Sequence, residues 1–87
     1  MSTHAIVLET GYKVASSNHR FTLLGPMSLD EARTRFEALA AGTDAALPPT
    51  KGAVVVRVGE YQFLRIASGL TGTKMDRVTW GPAQTQA

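Results

Sequence analysis

Residues 28–42, Ser28-Leu29-Asp30-Glu31-Ala32-Arg33-Thr34-Arg35-Phe36-Glu37-Ala38-Leu39-Ala40-Ala41-Gly42, form the one stretch that carries every signal of a complete amphipathic helix. Ser28 can accept a hydrogen bond from the Glu31 backbone N–H while the Glu31 side chain reaches back to the Ser28 N–H, a reciprocal capping box. Gly42 offers a left-handed stop. The apolar positions Leu29, Ala32, Phe36, Leu39 and Ala40 fall at i, i+3, i+7, i+10 and i+11, a single stripe anchored by Phe36 and Leu39. The other face holds Asp30, Glu31, Arg33, Thr34, Arg35, Glu37 and Ala38, with Glu31–Arg35 and Arg33–Glu37 spaced for ion pairs. A lone helix must bury its stripe on strands. The expectation is an α+β domain, an antiparallel sheet of about four to five strands with one amphipathic helix on one face, in the chain order β-β-(β)-α-β-β-(β).

The residues before the helix are β-branched and aromatic, broken by turn formers. Ala5-Ile6-Val7-Leu8 and Tyr12-Lys13-Val14-Ala15 are extended pieces around Thr10-Gly11, which is either a hairpin turn or a bulge in one long strand. Ser16-Ser17-Asn18 reads as a turn, Arg20-Phe21-Thr22-Leu23-Leu24 as a strand, and Gly25-Pro26 as its end, since proline donates no ladder bond.

After the helix, Thr43 to Lys51, with Pro48-Pro49, reads as an extended, exposed connector poor in contacts. The strongest β signal follows: Gly52-Ala53-Val54-Val55-Val56-Arg57-Val58, then Gly59-Glu60, then Tyr61-Gln62-Phe63-Leu64-Arg65-Ile66-Ala67. A two-residue type II′ turn at Gly59-Glu60 sets Val58 opposite Tyr61, Val56 opposite Phe63 and Val54 opposite Arg65. Val54, Val56, Val58, Tyr61, Phe63 and Arg65 then share one face, and Ala53, Val55, Arg57, Gln62, Leu64 and Ile66 the other. Both faces are apolar, and one helix covers only one side of a sheet, so the second face needs another cover. Ser68 to Thr73 reads as a loop and Lys74 to Trp80, which alternates weakly, as a last, edge strand.

At 87 residues the chain has room for one domain, read as residues 1–82 with a frayed tail at 83–87. It has no cysteine, which removes disulfides, thiolate chemistry and cysteine-based metal sites. No apolar run approaches the roughly 18 residues a membrane span requires, and Met1-Ser2-Thr3-His4 lacks the pattern of a signal peptide; the expectation is a cytoplasmic protein without a membrane partner. The net charge of +2 is small and its lysines and arginines are scattered along the chain, unlike the concentrated positive face of a dedicated nucleic-acid binder.

No catalytic, metal or cofactor constellation emerges. His4 and His19 lie far apart without a third ligand and read as surface or turn residues. Glu9, Asp30, Glu31, Glu37, Asp44, Glu60 and Asp76 are mostly accounted for by capping, ion pairs and turns. Gly69, Gly72 and Lys74 do not make a phosphate loop, because no Ser or Thr follows the lysine. The interaction residues expected instead are Arg57, Gln62, Leu64, Arg77 and Trp80, whose composition suits a partner interface. A nucleic-acid alternative would use Arg57, Tyr61, Arg65 and Lys74 as a stacking and phosphate platform. By size and lack of catalytic residues the chain resembles the small accessory proteins of phages and mobile elements, anti-CRISPR inhibitors among them. That class likeness implies a non-enzymatic inhibitor or adaptor that occludes a site on a larger protein or nucleoprotein complex, with self-association through the uncovered sheet face as the other use of that surface.

Overall fold

The computed structural model describes residues 3–13, 19–69 and 72–84. Along them run β1 (His4–Lys13), β2 (Arg20–Met27), α1 (Leu29–Ala41), β3 (Val54–Val58), β4 (Gln62–Gly69) and β5 (Gly72–Pro82). The strands form one antiparallel sheet in the order β2-β1-β5-β4-β3, so the chain is the α+β domain expected. Helix α1 connects the two edge strands and must therefore cross a whole face of the sheet.

The helix ends are made as its sequence dictates. The Ser28 hydroxyl accepts from the Glu31 N–H at 3.2 Å. Gly42, at φ 77°, reverses the chain so that its own N–H reaches the Leu39 carbonyl and that of Thr43 the Ala38 carbonyl, at 3.3 and 3.0 Å. Ala32, Phe36 and Leu39 are buried with Ile6, Leu8, Met27, Phe63, Val78 and Trp80 in one core. Phe36 is its centre, its ring centroid 5.2 Å from Phe63 and 6.0 Å from Trp80. Leu29 departs from the stripe: it is 37% exposed, because the first helical residue lies beside Pro82 at the end of the sheet. The expected ion pairs within the helix give way to tertiary ones, Arg35 reaching Asp44 at 3.0 Å and Glu37 taking Arg57 of β3 at 2.6 Å. Paired, two-bond guanidinium–carboxylate geometry outweighs an i,i+4 contact across a solvated helix face.

Several strand expectations are corrected or decided. Glu9 pairs with Arg77 and Tyr12 with Met75, so Thr10 and Gly11 together oppose Asp76. Gly11 is thus a bulge at φ 80°, its N–H held by Asp76 Oδ1 at 3.2 Å, and two strands precede the helix. The Ser16–Asn18 turn lies outside the described residues. Gly25-Pro26 does not end the sheet: His4 pairs with Met27 and Ile6 with Leu24, so this dipeptide forms a second bulge and β2 continues to Met27. An edge strand tolerates the proline because one side of its backbone has no ladder to feed.

The β3–β4 loop holds three residues, Gly59, Glu60 and Tyr61, since Val58 pairs with Gln62, Val56 with Leu64 and Val54 with Ile66. That single extra residue turns β4 over relative to β3. Val54, Val56 and Val58 now share a face with Gln62, Leu64 and Ile66, whereas Val55 and Arg57 share the helix side with Phe63 and Arg65. Strand β5 is central, between β1 and β4, and not an edge. Its weak alternation comes from charges satisfied sideways: Arg65 of β4 holds Asp76, and Glu9 of β1 holds Arg77. Ser68 and Gly69 extend β4, Gly72 and Thr73 begin β5, and Leu70 and Thr71 lie outside the described residues.

The connector after the helix is rich in contacts. Leu47 is buried in the core, Asp44 binds Arg35 and caps the Ala46 N–H at 2.9 Å, and the Pro48 carbonyl accepts from Arg65 Nη1 at 2.7 Å. Small residues let this segment pack down as it travels to the far edge of the sheet. Beyond β5, Ala83 still donates to the Thr3 carbonyl at 2.9 Å, and residues 85–87 lie outside the described segments. Among the described residues no helix is long and apolar enough to cross a membrane.

Candidate functional site

The side-chain period of two sorts this sheet into unlike faces. On the helix side lie Ile6, Leu8, Phe63, Val78 and Trp80, all buried. On the other side the register sets Leu23, Val7, Thr79, Gln62 and Val58 in one row and Phe21, Glu9, Arg77, Leu64 and Val56 in the next, with Met75, Ile66 and Val54 beyond. No helix covers these rows among the described residues. Phe21, Leu23, Val54, Val56 and Val58 are 43–67% exposed. The large side chains stand at the β2 edge and the valines at the β3 edge, with smaller and polar groups between.

The polar groups of this face are turned to one another. Glu9 and Arg77 form a two-bond ion pair, Arg77 Nη2 to Glu9 Oε1 at 2.7 Å and Nε to Oε2, and Gln62 Nε2 donates to Thr79 Oγ1 at 3.2 Å. Glu9 and Arg77 are the ionisable members of these rows, so the rows carry no net charge. At the end where β1 and β5 present only Ala5 and Gly81, a recess of about 580 Å³ opens between Leu23, Pro26, Thr79 and Pro82.

The helix side has its own groove, about 570 Å³, lined by His4, Arg33, Glu37, Arg57, Tyr61 and Trp80 among others. His4 is buried rather than a surface residue, because β1 carries it beneath the helix end and against Trp80, ring centroids 6.1 Å apart. His19 rests on Phe21 at 4.6 Å. Hydrogen bonding from Arg57 holds the Glu37 carboxyl below its ordinary range, and Glu37 in turn raises Arg57. Asp44 is likewise lowered, first by its hydrogen bond from Arg35 and then by the Ala46 N–H. These are structural pairs that tie the connector and β3 to the helix. No group of three His, Asp or Glu side chains that could hold a metal comes together among the described residues.

The expected interaction residues are therefore divided. Gln62, Leu64 and Arg77 lie on the helix-free face, while Arg57 and Trp80 lie on the covered side. Trp80 closes the core and donates from Nε1 to the Glu60 carbonyl at 3.2 Å. The nucleic-acid set does not form a platform. Arg57 is engaged by Glu37, Arg65 is buried between Asp76 and the Pro48 carbonyl, Tyr61 leans on Trp80 at 5.1 Å, and Lys74 lies well along β5 from that loop.

Compared with known proteins, the chain matches no family model, no curated protein and no solved structure. The site must be read from its own chemistry. Phe21 and Leu23, the two most exposed large apolar residues among those described, were absent from the residues expected at an interface. Their alternation with Thr22 and Leu24 gives the strand two faces, but which one the helix covers is decided by pairing with β1.

Proposed function

We propose that this chain is a non-enzymatic protein-binding module that works through its helix-free sheet face, serving as an inhibitor or adaptor by occupying a complementary protein surface. The observation that carries this reading is the exposed apolar residues at both edges of this face, Phe21 and Leu23 on β2 and Val54, Val56 and Val58 on β3, about 19 Å apart at the usual strand spacing. Exposed apolar surface rimmed by polar groups marks interaction sites. The Glu9–Arg77 pair lies within it already neutralised, so a docking protein need not supply a counter-charge.

Immobilised wild-type protein and the Leu23→Lys/Val56→Lys double variant, each incubated with native lysate and analysed by mass spectrometry, test the reading. The wild type is expected to retain specific proteins, this chain included, that the equally well folded variant releases. Identical retention by both, or none by the wild type, rejects it.

A further inference from the structure

We infer that the groove on the helix side of the sheet is a binding site for a free aromatic amino acid, a small zwitterion held by its ring, its carboxylate and its ammonium group. The inference stands apart from the reading of the helix-free face and uses no residue of that face.

The groove runs between the first turns of α1 and the β3–β4 loop, over a cluster of rings gathered about Trp80. The Trp80 ring centroid lies 6.0 Å from Phe36, 5.1 Å from Tyr61 and 6.1 Å from His4. Phe36 and Trp80 are almost wholly covered, but Tyr61 is 51% exposed, so the cluster ends on an open ring. A ligand ring beside Tyr61 extends it through the tilted or offset contacts that aromatic rings prefer. The space, about 570 Å³, is that of a small-molecule site.

The walls carry opposite charges that do not meet. Arg33 on the helix wall and Glu60 on the loop wall both line the groove. Neither side chain takes part in an ion pair or hydrogen bond among the described residues. Arg57 and Glu37, at the same groove, are by contrast bonded to each other twice. A cation on one wall and a carboxylate on the other, too far apart to bond to each other, suit an occupant that carries both signs. An α-amino acid does: its carboxylate accepts two hydrogen bonds from the Arg33 guanidinium, and its ammonium donates to Glu60.

His4 is the third observation. It is 5% exposed, and its Nδ1 is closed from water without a hydrogen-bond partner. Of the groove and the recess on the other face, it borders the groove alone. A buried polar atom left unbonded costs free energy, which a bond from an occupant recovers. The ammonium group has three N–H donors, enough for Glu60 and for the imidazole nitrogen.

Trp80 is the chain's one tryptophan, so its fluorescence, excited where phenylalanine does not absorb, reports on this groove. Titration of the full chain with L-phenylalanine to about 10 mM is the test, and a saturable change with a dissociation constant at or below about 1 mM is expected. Phenylacetate lacks the ammonium, phenethylamine the carboxylate and L-alanine the ring; each should bind at least about tenfold more weakly. Arg33→Gln and Glu60→Gln, at exposed positions outside the core, should each raise the L-phenylalanine constant at least about tenfold. His4→Phe keeps a ring against Trp80 but removes the nitrogen, and should raise it as well. Thermal unfolding checks that each variant is folded. No saturable change with the wild type up to about 10 mM overturns the inference. Binding indifferent to Arg33→Gln, to Glu60→Gln or to His4→Phe overturns it too, as does phenylacetate or phenethylamine binding as tightly as L-phenylalanine, the behaviour of a site for a simple aromatic ion.

Discussion

The two faces of the sheet are built from similar residues and do opposite things. On the helix side Phe36 inserts between Phe63 and Trp80, and Ile6, Leu8, Phe63, Val78 and Trp80 of the central strands are buried. On the other side Leu23, Val54 and Val56, no less apolar, stay open. The difference is not composition but supply. The chain has one helix among its described residues, and the Leu29–Ala41 segment, crossing from edge to edge, is used up on one face. Polar residues do not follow the same division. Arg65 is sealed between Asp76 and Pro48 on the covered side, and on the other side Glu9 is just as buried while its partner Arg77 remains half-exposed. An apolar strand position therefore means core on one side of this sheet and, at the edges of the other, exposed surface.

Substitutions that contrast the two faces should separate widely. Phe36→Ala removes the centre of the covered face and should destabilise by about 3–5 kcal/mol in urea or thermal unfolding; near wild-type stability would show that the helix does not hold this core. Asp76→Ala leaves Arg65 nearly buried without its carboxylate and frees the Gly11 N–H at the bulge. A loss of about 3 kcal/mol is expected, read by the same unfolding curves.

The Arg35–Asp44 pair, at the rim of the covered face, has a smaller effect that depends on pH. Because the folded-state pKa of Asp44 is lowered, its contribution is complete above the ordinary aspartate value near 3.9. It is lost as pH falls through the lower folded value. Asp44→Asn should thus lower stability at neutral pH by less than about 1 kcal/mol and flatten the acid limb of a stability–pH curve; an unchanged limb would remove the pair from the stability account. On the open face Val56→Lys should change the unfolding free energy of the isolated chain by no more than about 0.5 kcal/mol. A larger loss would mean that Val56 belongs to a core.

Much of the fold was legible along the chain because its causes are local. The capping serine, the stripe of Ala32, Phe36 and Leu39 and the Gly42 stop are interactions within a few residues of each other, and they determined the helix and its buried side. The strands, their alternation and the surplus of apolar faces over helices were legible for the same reason. What tertiary structure alone decided was lateral and long-range. One residue in the Gly59–Tyr61 loop set which side of β3 matches which side of β4. The pairing of β5 with β1, residues nearly a whole chain apart, made the supposed edge strand the centre and placed Arg77 beside Glu9. The buried places of His4 and Leu47 depend on the path of the helix above them. Local sequence fixes what a strand offers to each side; only assembly of the sheet under α1 decides which side is hidden and which is left exposed.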